Sequence, residues 1–294
     1  MPDRSQPARL DVRKTYKLYV GGAFPRSESG RSYEVTDSKG AFLANAAWAS
    51  RKDTRDAVVA ARSALGGWSG ATAYNRGQVL YRVAEMLEGR RDQFAAGVAA
   101  AEGLASRAAD RIVGLAIDRW VWYAGWSHRI AQIDGASNPV AGPYFNFSVP
   151  EPTGVVGVLA PQQSSLLGLV SVVAPVIVSG NTAVVVASQE GPLPAVSLGE
   201  VLATSDLPGG VVNILTGYTA ELAPVLAAHL DVNALDATGA ADRALATSLE
   251  VDAAENVKRV LPAPRHEPDW TEPADPRRIL SFCEIKTVWH PTGV

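Results

Sequence analysis

Across 294 residues there is one cysteine, Cys283, so no disulfide can form within the chain. The four histidines, His128, His229, His266 and His290, are scattered without metal-ligand spacing, and no metal site is expected. Neither charge dominates. Twenty-seven Lys and Arg against 30 Asp and Glu leave a net charge of −3, which gives no electrostatic footprint for nucleic acid or an anionic membrane. Long apolar runs are also missing: the most apolar stretch, residues 166–178, is too short to span a bilayer and contains Pro175. The opening MPDRSQPARLDVRK is polar and lacks the apolar core of a signal peptide. These absences predict a cytoplasmic protein with neither membrane nor nucleic-acid partners. Internal repeats and a GxGxxG fingerprint are absent too.

What is present is a core-forming composition, 47% hydrophobic and 19% charged. Residues 150–217 organise the chain. β-Branched runs at 155–159, 183–186 and 211–215 alternate with helix-length apolar stretches, the rhythm of a βαβ parallel sheet. Four strand–helix units are expected, at 155–178, 182–203, 211–228 and 232–249. Upstream, a disordered head over 1–14 leads to residues 16–24, read as a strand, a Gly-Gly turn and a return strand. Asp53 is read as the N-cap of a helix that carries Ala57, Val58, Ala61, Ala64 and Leu65 on one face and stops at Gly66-Gly67. Residues 74–88 repeat the amphipathic pattern.

Residues 110–132 carry the longest helical pattern, with Ile112, Leu115, Trp122, Trp126 and Ile130 at helical spacing. Trp120, Trp122, Tyr123 and Trp126 suit either a ligand cage or a helix packed in the core and at an interface; such a stripe favours packing. Residues 138–152 alternate as a β-hairpin, with Tyr144, Asn146 and Ser148 against Phe145, Phe147 and Val149. Residues 261–278 hold five of the nineteen prolines and read as an extended linker. Residues 279–289 alternate again as a strand that needs a partner.

The segments PTGVVGVLAP, SGNT, DLPGGVVN and LTG, in this order and spacing, resemble the nucleotide-binding half of the aldehyde dehydrogenase superfamily. The resemblance implies an α/β fold, a Rossmann-like parallel sheet with flanking helices over residues 15–260. It also implies a projecting oligomerisation hairpin at 138–152 and, after the 261–278 linker, a C-terminal oligomerisation strand within 279–294 that adds to a neighbouring subunit's sheet. Phe145 and Phe147 become interface candidates.

Motif by motif, the chemistry implied by the resemblance is altered. The family's P-W-N-F-P loop, whose Asn stabilises the developing oxyanion, is Pro161-Gln162-Gln163-Ser164-Ser165, leaving Gln163 as a vestigial donor whose extra methylene displaces the amide. The family's K-P-S-E is Ala187-Ser188-Gln189-Glu190, so the lysine is lost while Glu190 persists, equally as a contact to the cofactor ribose or as a solvated or capping carboxylate. The family's F-T-G-S-T-x-x-G is Ala237-Thr238-Gly239-Ala240-Ala241-Asp242-Arg243. Thr238 and Gly239 remain as vestigial cofactor contacts, while Asp242 puts a carboxylate at the helix dipole where a phosphate would sit. After residue 260 the expected E-L-G-G-K, with its general base, and the domain carrying the nucleophilic cysteine give way to the proline-rich segment. Cys283, mid-strand beside Glu284, reads as an inert structural thiol more than a relocated nucleophile, and His290 as an end-of-strand residue.

Three functions follow as expectations. The first is a non-catalytic subunit that assembles with a full-length aldehyde dehydrogenase, or with itself, with binding of NAD or NADP weakened or lost. The second is an NAD(P)-dependent aldehyde oxidoreductase in its own right, and the third a nucleotide-binding module without chemistry.

Overall fold

In the computed structural model residues 14–293 are described. The head expected over 1–14 lies outside them except for Lys14, which pairs with Glu200. In chain order, β1 (Thr15–Tyr16), β2 (Ser32–Thr36) and β3 (Phe42–Ala47) form a small sheet in the order β1-β3-β2. Four helices follow: α1 (Arg51–Gly70), α2 (Ala73–Glu88), α3 (Arg91–Glu102) and α4 (Ser106–Trp126), then the short α5 (Ile130–Asp134). The hairpin is β4 (Ala136–Asn138) and β5 (Tyr144–Pro152). The alternating units are β6 (Val155–Leu159), α6 (Leu167–Val178), β7 (Thr182–Val186), α7 (Leu193–Leu202), β8 (Val212–Leu215), α8 (Thr219–Ala228), β9 (Ala234–Asp236) and α9 (Arg243–Ala254). A fifth strand β10 (Arg259–Leu261), the turn α10 (Arg277–Leu280) and β11 (Cys283–Pro291) complete the chain.

The central sheet is wholly parallel, in the order β10-β9-β6-β7-β8. Helices cover both faces, so every residue of β6, β7, β8 and β9 is buried, which is why β6, β7 and β8 read as runs rich in β-branched residues instead of alternating ones. The α/β Rossmann-like architecture is the one expected. Helix α6 is buried along its whole length between this sheet and α4. Pro175 fits within it, and Ser171 and Ser179 return their hydroxyls to Leu167 O and Val176 O.

Several local expectations are corrected. Ser50, not Asp53, is the N-cap of α1. Its hydroxyl accepts from Asp53 N, and the Asp53 carboxylate accepts from Ser50 N, a reciprocal capping box. The helix runs through Gly66-Gly67 to Gly70 because Trp68, 2% exposed, inserts into the core and donates from Nε1 to Ile177 O at 2.8 Å. Burial of one indole outweighs the roughly 1 kcal/mol that each helical glycine costs. On α4 the buried stripe is Ala109, Val113, Ala116, Ile117, Trp120, Tyr123 and Ala124; Ile112, Leu115, Trp122 and Trp126 flank it half-buried. The aromatics therefore pack the core instead of forming a cage. Residues 16–24 contain the Gly21-Gly22 turn, closed by reciprocal Val20 and Ala23 bonds, but no return strand. Tyr19 instead pairs with Ile214, extending the edge beyond β8.

The terminal strand has its partner within the chain. β11 pairs antiparallel with β5 over nine residues, from Cys283 opposite Pro152 to Pro291 opposite Tyr144, giving a three-stranded sheet β11-β5-β4. Residues 262–276 form no helix or strand, yet they are tied to the body: Arg119 donates to Trp270 O and Glu272 O. Among the described residues, no helix is long and apolar enough to cross a membrane.

Candidate functional site

The chain runs from β6 outward to β7 and β8, then returns to the other side of β6 as β9. The order therefore reverses between β6 and β9, and the crevice beyond their carboxyl ends is where open α/β sheets receive ligands. Loops from four strands meet there. Beside them lies a cavity of about 570 Å³ lined by Gln162, Gln163, Gln189, Glu190 and Tyr218, with Tyr33 across from them. Glu34, Asp37 and Glu102 add three more carboxylates to that of Glu190, and among the described residues no lysine or arginine lines the wall.

Gln163 and Glu190 are thus brought to one cavity, both exposed. The loop's fixed amide is that of its neighbour: Gln162 Nε2 donates to Ala160 O, and Gln162 Oε1 accepts from Gln189 N, tying the β6 and β7 loops together. Ala187, where the family lysine would stand, is buried and its N–H continues the sheet to Leu215 O. Thr238 and Gly239 lie apart from the cavity. Thr238 Oγ1 donates to Asp236 Oδ1 at 2.5 Å and accepts from Arg278 at 2.8 Å, so its hydroxyl is already engaged. Gly239 donates to Leu159 O, and a Cβ there would fall 2.0 Å from Ala160 O, so the position requires glycine for close packing of the β6 and β9 loops. Asp242 is the N-cap of α9, accepting from Ala244 N and Leu245 N at 3.1 and 3.2 Å. The dipole end of that helix therefore already faces a carboxylate.

The residue that defines the site was hidden in the proline-rich segment. Glu267 places one carboxylate on three successive backbone donors: Gln162 N at 2.9 Å and Gln163 N at 3.0 Å to Oε2, and Ser164 N at 3.0 Å to Oε1. Trp270 Nε1 donates to the same group at 3.2 Å. The next donor, Ser165 N, goes to Glu102, which also takes the Ser165 hydroxyl, both at 2.7 Å. Burial raises the Glu102 pKa above the ordinary carboxylate value, and the Glu267 charge adds to the rise, against the lowering effect of the Ser165 bonds. On the far side of the crevice the fully buried Asp236 pairs with Arg278 at 2.5 Å. No local sequence signal marks Glu267, whose three backbone donors are more than 100 residues away; Asp236-x-Thr238, a side-chain-to-backbone turn, was the readable half of the other contact.

Cys283 is 5% exposed at the start of β11, outside the cavity, with its thiol donating to Ile279 O at 3.5 Å. Its pKa is pushed up to about 11, chiefly by burial and not by the adjacent Glu284. A protonated, covered thiol is a poor nucleophile.

With this geometry established, likeness to known proteins becomes informative. A family model described as "Aldehyde dehydrogenase family" matches residues 24–262. The chain belongs to the aldehyde dehydrogenase family. It is 31% identical over 242 residues to cytosolic 10-formyltetrahydrofolate dehydrogenase of Mus musculus, covering 80% of this chain and 26% of that one. To the putative aldehyde dehydrogenase DhaS of Bacillus subtilis (strain 168) it is 30% identical over 250 residues, covering 84% and 50%. The NAD+ complex of an aldehyde dehydrogenase from Bacillus cereus superposes with a TM-score of 0.79 at 26% identity, over 84% of this chain and 50% of that one. HpcC from Thermus thermophilus gives a TM-score of 0.79 at 28% identity, over 84% and 47%. This aldehyde dehydrogenase relative therefore spans about half the length, or less, of the proteins it matches.

Proposed function

We propose that this chain is a non-catalytic member of the aldehyde dehydrogenase family, a subunit that assembles with a full-length, active NAD-dependent aldehyde dehydrogenase. The observation that carries the reading is the composition of the crevice. Among the described residues its cavity holds four carboxylates and no thiol or cation, and the one cysteine of the chain is buried elsewhere with a raised pKa. The residues present do not fit a dinucleotide: the β6-loop amides are taken by Glu267, the α9 terminus by Asp242, and the Thr238 hydroxyl by Asp236 and Arg278. A diphosphate brought here would also meet the acidic wall, so weak or lost binding of NAD or NADP is the expectation.

The parts suited to assembly are intact. The β11-β5-β4 sheet leaves Tyr144, Phe145, Ile285 and Trp289 about half exposed, and β11 has an unpaired outer edge among the described residues. Such an edge invites pairing with another chain. The test is co-expression with a cognate full-length dehydrogenase, with native mass and aldehyde-dependent NADH formation measured beside each chain alone. A mixed complex whose activity needs only the partner's catalytic residues supports the proposal. Separate species, or NAD reduction by this chain alone, would overturn it.

A further inference from the structure

Glu267 does more than end a loop. Three convergent N–H groups of the loop between β6 and the fully buried α6 make an anion nest at the place where an open α/β sheet takes its ligand. The nest is occupied by an anion, and that anion belongs to the chain. The segment that delivers it starts at the end of β10, where Ala237 N donates to Leu261 O, and passes over the β6 loop at Glu267. It is held on α4 by Arg119 and closes over the β9 loop through Arg278. It thus crosses the crevice from one side to the other. Residues 262–276 have no helix or strand of their own to hold them there.

We infer that residues 262–278 are a built-in plug over a latent oxyanion-binding site, with the Glu267 carboxylate standing in for a phosphoryl group on the amides of Gln162, Gln163 and Ser164. The site takes a compact anion of the pyrophosphate class whenever Glu267 leaves. Competition between an internal and an external anion sets its apparent affinity, because the competent state is only the fraction with the plug displaced. The inference goes beyond assembly and holds whether or not this chain joins a dehydrogenase.

Calorimetric titration of the full chain with sodium pyrophosphate in low-salt buffer, and separately with NAD, tests it. Glu267→Ala is expected to bind pyrophosphate at least tenfold more tightly than the unaltered chain, and Glu267→Gln, which keeps one acceptor oxygen, by a smaller factor. If NAD tightens in parallel, the nest accepts the diphosphate of a dinucleotide; if pyrophosphate alone tightens, it accepts a free oxyanion. Equal affinity in variant and unaltered chain, including no binding in either, overturns the inference. Should Glu267→Ala fail to fold, Glu267→Gln and Trp270→Phe decide. Trp270→Phe removes only the indole donor from Glu267. A threefold or greater tightening in either sustains the plug, and no change in both refutes it.

Discussion

Replacing Arg278 with methionine isolates the contact that fastens the C-terminal segment to the sheet. Asp236 is fully buried on β9 and its partners are Arg278, at 2.5 Å, and the N–H and hydroxyl of Thr238, at 3.0 and 2.5 Å. Arg278 is 18% exposed, and its guanidinium also lies 5.6 Å from the Trp270 ring. Arg278→Met keeps most of the packing and leaves a buried carboxylate without its countercharge, a change that typically costs about 3–5 kcal/mol. The two Thr238 bonds persist, which places the expectation near about 3 kcal/mol. At about 2 °C per kcal/mol for a chain of this length, the melting temperature should fall by roughly 6 °C. Urea unfolding followed by tryptophan fluorescence reads the free energy directly. Asp236→Asn in the same background removes the stranded charge while keeping an acceptor for Thr238 N, and should recover at least half of the loss. A single variant within about 1 kcal/mol of the unaltered chain would refute the argument. So would a double variant no more stable than the single one.

Three further outcomes are expected. Ser50→Ala should cost about 1 kcal/mol as a lost N-cap; Asp53→Ala, which strands Ser27 Oγ, Glu28 N and Ser50 N, about 2–3 kcal/mol, with the pair non-additive in urea melts. With its pKa near 11, Cys283 should be about one part in a thousand thiolate at pH 8, so a colorimetric disulfide reagent should label the native chain at least about 100-fold more slowly than the unfolded one. Glu102 has a raised folded-state pKa, so the folded state binds its proton more readily than the unfolded state, and the charged form penalises folding above the ordinary value of 4.5. Glu102→Gln, which keeps an acceptor for Ser165, should therefore be neutral to stabilising at pH 7. That advantage should shrink as the pH falls from 7 toward 4.5 and be absent below 4.5, as measured by paired thermal melts.

How far the fold could be read in advance depended on how local its causes are. β6, β7 and β8 were legible because burial on both faces demands continuous β-branched runs, and the hairpin because one residue in two must face each side of its sheet. β10 was not, since three residues, Arg259-Val260-Leu261, carry no period; only the neighbouring β9 makes them a strand. The end of α1 was misread because a Gly-Gly pair is a strong local stop signal, while the Trp68–Ile177 contact that overrides it spans 109 residues. The same distinction governs the site. Gln163 and Glu190 could be placed in the loops after β6 and β7 because each follows a strand in a spaced motif, whereas Thr238 and Gly239, picked out in the same way, lie apart from the cavity. Their surroundings could not, because Glu267 and Arg278 arrive from a segment whose composition shows only that it is extended.

That segment also explains how the fold tolerates such altered loops. The amides of residues 162–165 lie in the loop between β6 and α6 and have no strand or helix partner, so the buried ones among them need a side-chain acceptor. A bare set of four would cost several kcal/mol, at about 1–3 kcal/mol for each unsatisfied donor. Two carboxylates, Glu267 and Glu102, meet that demand together; burial raises the Glu102 pKa, and the neighbouring Glu267 charge adds a smaller rise. The crevice thus satisfies its own donors from within the chain, while the buried strands beneath it keep the packing that makes the family recognisable.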